Sequence, residues 1–159
     1  MIGPPFVPGD PPIPSPPMTA FSPLAWPTPS DLAAALAPHR ATRIECSLGD
    51  LSSVARGKRV AVADFEAARG CKLPSVALGL TLTGGEPTAV FGPLLPKSYA
   101  DLHLVPDLAT LAPMPGRPGE LSVICEPCGT LAHDDGRVLD ATALSPRAAL
   151  RAVLARLEA

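Results

Sequence analysis

The stretch Arg43–Gly70, RIECSLGDLSSVARGKRVAVADFEAARG, contains the pattern that decides the fold. Apolar and polar residues alternate from residue 43 to residue 48, which is typical of a strand with one buried face. The residues GDLSS then turn the chain, and KRVAV at 58–62 alternates again, so the two runs predict a hairpin. A short helix is predicted at 64–69, where DFEAAR follows the second strand.

Three further runs predict strands outside this stretch. Val76–Leu82 is apolar at even positions and ends at the turn-forming pair Gly84-Gly85. Leu102–Val105 and Leu121–Glu126 are rich in β-formers and bounded by prolines. The loop between these two runs contains too much proline and glycine to be regular.

Two helices complete the predicted elements. The first starts at Ser30, a good N-cap, and continues to Pro38; the C-terminal helix begins with Ser145 as its N-cap and Pro146 in its first turn. The sequence therefore predicts an α+β domain with a mixed sheet, short helices and a C-terminal amphipathic helix. In that last helix the predicted core face contains Leu150, Val153, Leu154 and Leu157, and the predicted solvent face contains Arg147, Arg151 and Arg156.

The first thirty residues differ from the rest in composition. Eleven of the 22 prolines lie between Pro4 and Pro29, and repeated X-Pro bonds are incompatible with helices and with sheet interiors. We therefore expect residues 1–30 to be a disordered proline-rich tail that is dispensable for folding, and the domain to occupy 31–159. Two explanations of the tail stay open: translation begins at Met18, or the tail is a ligand for an aromatic-lined groove.

Charge and hydropathy argue against two classes of partner. Thirteen Lys and Arg residues against 15 Asp and Glu residues give a net charge of −2, so the chain has no basic field to attract nucleic acid or anionic lipid. No apolar run approaches the ~20 residues of a membrane helix, and the N-terminus lacks the features of a signal peptide. We expect a cytoplasmic protein that binds neither nucleic acid nor membrane, with reduced thiols at Cys46, Cys71, Cys125 and Cys128.

Catalytic motifs receive little support from the sequence. The chain contains no GxxxxGK[ST], GxGxxG or GxSxG motif. Cys125-x2-Cys128-x4-His133 has metal-like spacing, but a second CxxC is missing, and Cys125 alternates within an apolar run, which favours a buried strand residue over zinc or redox chemistry. Asp134-Asp135-Gly136 predicts a hairpin turn. The basic run 56–59 is either a charged hairpin tip or a surface that faces a nucleotide or a carboxylate.

The order of three motifs carries a family resemblance. They are Arg-Gly-Lys at 56–58, Val-Pro-Asp-x-x-Thr-Leu at 105–111 and Ser-Pro-Arg-x-x-Leu at 145–150. Together with Cys125-Glu126 and the Asp-Gly turn, this order resembles the N-terminal β-grasp domain of the glutamine synthetase superfamily, over about residues 31–159. Within that superfamily the chain is most similar to gamma-glutamylpolyamine synthetase and related GlnA-like ligases.

The resemblance implies a β-grasp fold and an ATP-dependent ligase that joins the γ-carboxyl group of glutamate to ammonia or an amine. In that superfamily ATP and Mg²⁺ or Mn²⁺ are held by a large C-terminal catalytic domain, so the resemblance implies no cofactor, metal ligand or catalytic residue in this chain. The β-grasp domain completes the active site of a ring neighbour, which makes five residues candidates for a position next to the substrate or at a subunit interface. These are Arg56, Gly57, Lys58, Pro74 and Ser75.

Two departures from the family pattern affect what the resemblance implies. The ammonium-binding branch has Phe-Asp-Gly-Ser-Ser where this chain has Leu-Pro-Ser-Val-Ala at 73–77. Because the aspartate is absent, an amine, or no substrate at all, is favoured over ammonia as the acceptor. Pro115-Gly116 stands where the family usually has Pro-Trp, which removes a packing anchor.

Two functional hypotheses from different classes follow. In the first, the chain is the β-grasp half or split subunit of such a ligase and completes the active site of a GlnA-like catalytic chain. In the second, it is a non-catalytic interaction module that binds a full-length ligase. A homo-oligomer is compatible with either hypothesis, and both predict that the chain alone catalyses no ligation.

Overall fold

A computed structural model describes residues 24–95, 99–133 and 135–157, and it confirms the α+β class. The strands are β1 Arg43–Gly49, β2 Ala55–Ala61, β3 Cys71–Pro74, β4 Asp101–Pro106, β5 Ala112–Pro113, β6 Glu120–Cys128, β7 Thr130–Ala132 and β8 Val138–Asp140. The α-helices are α1 Pro29–Leu36, α2 Val62–Ala68, α3 Thr88–Phe91 and α4 Pro146–Leu157, and short 3-10 helices occupy Ser75–Gly79, Leu108–Thr110 and Ala141–Leu144.

Six of the described strands form a mixed sheet with β6 at its centre, and β7 and β8 form a separate two-stranded sheet. The strand order is β2-β1-β6-β4-β3, and β5 also pairs with β6. The first half of β6 runs parallel to β1, with Cys46 opposite Val123, and its second half pairs antiparallel with β4, with Val105 opposite Glu126. The hairpin predicted from the opening stretch is confirmed as β1 and β2. Asp134 of the turn predicted at 134–136 lies outside the described residues, and the strands on either side, β7 and β8, pair antiparallel.

The core lies between one face of the sheet and the helices α1 and α2. The alternation in β1 works as predicted, because Ile44, Cys46 and Leu48 are all buried. Leu32 of α1 and Phe65 of α2 are buried in the same cluster. Full burial of a side chain such as Phe65 contributes roughly 2–3 kcal/mol, so these helices are held mainly by packing.

The strand predicted at Val76–Leu82 is wrong. Ser75–Gly79 forms a 3-10 helix, and the strand that enters the sheet is the preceding β3. Ala77, Leu78 and Gly79 are buried one after another, which a strand with one solvent face does not allow. The turn predicted at the two glycines is present, since Gly84 has φ +86° and its N–H donates to the carbonyl of Thr81.

The C-terminal helix is confirmed, but its predicted orientation is wrong. Ser145 caps it as expected, because its Oγ accepts from the N–H of Ala148 at 3.2 Å. The four residues predicted for the core face are 48–78% exposed, and only Ala148 of the helix is buried. Arg147 and Arg151, predicted to face solvent, instead make ion pairs with acidic residues of the domain.

The ordered structure begins before residue 31, the predicted start of the domain. Helix α1 begins at Pro29 with Thr28, not Ser30, as its N-cap. The ring of Trp26 lies 4.2 Å from the ring of His103, and the guanidinium of Arg69 lies 5.4 Å from the Trp26 ring. Burial lowers the pKa of His103, so the neutral imidazole is the form that packs there. Residues 1–23 of the predicted tail lie outside the described residues.

Deletion of residues 1–29 is therefore expected to lower the thermal midpoint by roughly 5–10 °C, because it removes the Trp26 stack and the α1 cap. Deletion of residues 1–23 alone is the matched control and should leave the midpoint nearly unchanged. Differential scanning calorimetry of the three chains measures this. Equal midpoints for both deletions would show that the Trp26 contacts add nothing to stability.

Gly70 is expected to tolerate alanine poorly. It joins α2 to β3 with φ +138°, and an added Cβ would lie 2.1 Å from the carbonyl oxygen of Leu104. Gly70→Ala should cost about 3 kcal/mol of unfolding free energy, from backbone strain and the collision together. Gly49→Ala is the matched control, because nothing lies within 4 Å of a Cβ there. Urea denaturation of both variants compares the two costs, and similar values would contradict the close approach at Gly70.

Candidate functional site

The turn between β1 and β2 is built around the buried carboxylate of Asp50. Its Oδ1 accepts from the N–H groups of Ser52 and Val54, each at 2.8 Å, and its Oδ2 accepts from Nε of Arg56 at 2.8 Å. Asp50 is completely buried. A buried carboxylate requires such a full set of donors, so the turn conformation and the position of Arg56 are fixed together.

Arg56 also joins this turn to the segment that follows β3. Its Nη2 donates to the carbonyl of Thr81 at 2.6 Å. Two further hydrogen bonds connect the same parts, from Oγ of Ser52 to Leu80 O at 3.0 Å and from the N–H of Leu51 to Leu78 O at 2.9 Å. These hydrogen bonds place the β1–β2 turn and Arg56 next to residues 78–81, and we call residues 50–58 with 74–81 the paired-loop site; none of the three bonds involves Gly57, Lys58, Pro74 or Ser75.

Gly57 and Lys58 lie on the exposed side of the hairpin. A Cβ at Gly57 would lie 1.9 Å from the carbonyl oxygen of Cys46, so only glycine allows β2 to approach β1 so closely here. Lys58 is exposed and borders a cavity of about 360 Å³ that Arg56, Arg59 and Glu45 also line. Arg56 is paired with Asp50, and Arg59 with Glu45 and Glu120, so Lys58 is the lining cation that makes no ion pair with a described residue and suits the cavity to an acidic group.

Pro74 and Ser75 occupy different environments although they are neighbours. Pro74 is exposed at the end of β3, whereas Ser75 is fully buried and its N–H donates to the carbonyl of Ala100 at 2.9 Å. Among the described residues, the Oγ of Ser75 has no hydrogen-bond partner. Of this predicted pair, Pro74 is at the surface and Ser75 supports the segment from inside.

The remaining motifs of the resemblance meet in a second place, the acidic–arginine cluster. Arg147 donates to Glu126 Oε1 at 2.9 Å and to Asp107 Oδ2 at 2.5 Å, and Arg151 donates to the same Glu126 oxygen at 2.7 Å. Only 3% of the Glu126 side chain is exposed. This cluster fixes α4 on the sheet. The sequence contained its four members, but their mutual contact depends on a topology that spacing alone does not give.

The CxxC motif does not form a metal site with its neighbouring histidine. Cys125 is buried within β6, and Nε2 of His133 lies 3.2 Å from the carbonyl of Leu94. Within the ranges that the structure describes, no three His, Cys, Asp or Glu side chains are grouped so that they could hold a metal ion.

The buried thiols have little nucleophilic character. A hydrogen bond with Cys125 is the main cause that raises the pKa of Cys46, and a hydrogen bond with Cys46 is the main cause that raises the pKa of Cys71; burial adds to both. Protonated thiols are poor nucleophiles and poor metal ligands.

Over the same described ranges, no helix is long and apolar enough to cross a membrane.

Comparisons with known proteins place the fold among glutamine synthetase-like structures. No protein-family model and no curated protein sequence matches the chain. A solved structure titled as a GmaS/ADP complex matches 79% of this chain with 26% sequence identity and a TM-score of 0.54. A structure of apo GmaS without ligand matches 80% of the chain, also at 26% identity, with a TM-score of 0.51. The chain spans about a quarter of those proteins, 25% and 26% of their lengths.

Proposed function

We propose that this domain is the β-grasp half, or split subunit, of a glutamine synthetase-like ligase, and that it completes the active site of a partner catalytic chain. The observation that carries the proposal is the match of 79% of this chain to a quarter of a GmaS chain. The ligation is ATP-dependent and joins the γ-carboxyl group of glutamate to an amine or ammonia. The proposal places the protein in the cytoplasm, where ATP and glutamate are available.

The nucleotide and the metal belong, in this proposal, to the partner catalytic chain. Phosphoryl transfer needs divalent cations to neutralise the developing charge, and the described residues of this chain group no three potential metal ligands. The partner would therefore supply the sites for ATP and for Mg²⁺ or Mn²⁺. The present chain would contribute shape and charge at the edge of the active site.

The paired-loop site is the part that we assign to the partner's active-site edge. Lys58 is exposed there and lines the same cavity as Arg59, and it is free to approach an acidic substrate or an acidic partner surface. Arg56 acts as a positioning residue because its hydrogen bonds to Asp50 and Thr81 hold the two loops together. Gly57 permits the close pairing of β1 and β2. Ser75 is fully buried and supports residues 74–81 from inside the domain.

The test is a reconstitution with a purified GlnA-like catalytic chain that lacks its own N-terminal domain. The chain alone is expected to form no γ-glutamyl phosphate, and the mixture is expected to consume ATP in an amine-dependent reaction. Binding without any reaction would support the interaction-module hypothesis instead. Activity of the present chain alone would overturn the assignment of the nucleotide site to the partner.

A charge reversal at the paired-loop site sharpens this test. Lys58→Glu is expected to reduce the activity of the reconstituted ligase at least about tenfold, because it places a negative charge against an acidic ligand or surface. Lys72→Glu is the matched control, since Lys72 is an exposed lysine of β3 outside this cavity. Both variants should keep the thermal midpoint of the parent chain. Equal activities of the two variants would remove the paired-loop site from the proposal.

A further inference from the structure

Trp26, the single tryptophan of the chain, packs the segment that precedes α1 against β4. Its ring centroid lies 4.2 Å from that of His103, with an angle of 46° between the two ring planes. The guanidinium of Arg69 lies 5.4 Å from the same indole ring. Pro27 is buried, whereas Trp26 is 40% exposed. The contact between the two rings therefore lies at the surface of the domain and not in its core.

The imidazole of His103 contacts the link between α2 and β3 as well as the indole. Its Nε2 is buried and has no hydrogen-bond partner among the described residues. This nitrogen faces the link, because a Cβ added at Gly70 would lie 3.1 Å from it. On the neighbouring strands, Lys72 of β3 and Cys128 of β6 stand opposite His103 in the register of the sheet. A proton on the imidazole would therefore be placed between protein groups and not in water.

Among the described residues, the two charged side chains that act on the pKa of His103 are cations. Burial is the main cause that lowers this pKa, and Lys72 and Arg69 lower it further, whereas the backbone of Arg69 has an opposite effect that is smaller than that of burial. Asp101, two residues earlier in β4, makes no ion pair with His103 in the described part of the chain. The indole ring attracts cations, but the guanidinium of Arg69 already lies over it.

We propose that Trp26 and His103 form a pH-sensitive latch, in which protonation of His103 releases residues 24–27 from β4 while α1 stays packed on the core. Release lets the charged imidazole reach water and separates it from the indole that covers it. Helix α1 does not depend on this contact, because Leu32 and Leu36 hold it in the core. This inference is independent of the proposed ligase function.

The direction of the switch follows from proton linkage. The docked imidazole has a pKa below its ordinary value of 6.5, so the latched state binds fewer protons than the released state. The stabilisation by the latch is therefore complete above the ordinary pKa and is lost as the pH falls below it. The latch is closed at neutral pH and opens on acidification.

The experiment measures how easily acrylamide quenches the fluorescence of Trp26 in the full chain. We expect the quenching constant to rise about twofold between about pH 7.5 and pH 5.5, because the indole leaves the imidazole and becomes fully accessible. Far-UV circular dichroism over the same range should stay constant. A quenching constant that stays level or falls on acidification would overturn the proposal. A rise that coincides with loss of the dichroism signal would also overturn it, because that result is acid unfolding of the whole domain.

Three variants make the result specific to His103. His103→Gln removes the titrating group, and its quenching constant should not change with pH. His39→Gln is the matched control, a histidine that follows α1 and lines a separate cavity, and it should keep the full rise. Lys72→Glu leaves His103 in place but puts a carboxylate opposite it, so the latch should stay closed at about pH 5.5. An unchanged rise in His103→Gln or in Lys72→Glu, or loss of the rise in His39→Gln, would contradict the latch.

Discussion

Replacing Arg147 and Arg151 together by leucine is expected to lower the free energy of unfolding by about 3 kcal/mol. Both arginines donate to one oxygen of Glu126, and only 3% of that side chain is exposed. Without them a carboxylate would remain buried and unpaired, and such groups are costly. The arginines themselves are 30% and 42% exposed, so solvent screens part of the pairing and the lower end of the usual range applies.

The cluster combines one buried carboxylate, Glu126, with two partly exposed arginines, and this difference provides the control. Adding Glu126→Leu to the double variant removes the unpaired charge and should recover most of the lost stability, because an apolar replacement of a whole buried pair is often neutral. Arg137→Leu breaks an ion pair whose partner, Asp135, is 55% exposed, and should cost less than about 1 kcal/mol. Guanidinium denaturation of the three variants measures this. A double variant no weaker than Arg137→Leu would show that the cluster does not hold α4.

This cluster also explains where sequence analysis of the fold fails. The helical period at 146–157 correctly predicts α4, but period alone assigns the apolar face to the core. The ion pairs of Arg147 and Arg151 with Glu126 override that assignment, and they join residues 21 and 25 positions apart in the chain. Pairings at that separation depend on the topology of the sheet, which local patterns do not specify.

Strand prediction succeeds for β1 and fails for the apolar run that follows β3. The alternation at 43–48 gives β1 correctly because its other face is accessible. In the apolar run at 76–82 the consecutive residues Ala77, Leu78 and Gly79 are buried in a 3-10 helix, so the apolar residues at even positions do not mark one face of a strand. The short β3 was missed because CKLP carries too few residues for a period.

The candidate site was predicted in part. The resemblance selects the basic run at 56–58 and the loop at 74–78; in the structure Arg56 donates to the carbonyl of Thr81, and the N–H of Leu51 donates to the carbonyl of Leu78. Asp50, which organises both loops, was missed because a single aspartate in a GDLSS turn looks like ordinary turn chemistry. The role of these residues at a substrate or an interface stays a prediction.

In the absence of any partner the chain is expected to self-associate through α4. Leu150, Val153, Leu154 and Leu157 are 58%, 50%, 48% and 78% exposed and lie on one face of this helix. Contiguous apolar patches of a few hundred Å² mark interaction sites in soluble proteins. Arg147 and Arg151 of α4 make ion pairs with acidic residues of the domain, so these two charges do little to oppose association through the apolar face.

Sedimentation velocity or light scattering over a range of protein concentrations tests this expectation. Leu150→Glu with Leu154→Glu should give a monomer at every concentration and an almost unchanged thermal midpoint, because both leucines are about half exposed already. Leu82→Glu is the matched control: Leu82 is 78% exposed but lies at the turn near Gly84, away from α4, and it should leave the association unchanged. Two results would show that the apolar face of α4 drives no association: a parent chain that is monomeric at every concentration, or a Leu82→Glu control that is as monomeric as the α4 variant. The paired-loop site would then be the remaining candidate for the partner surface.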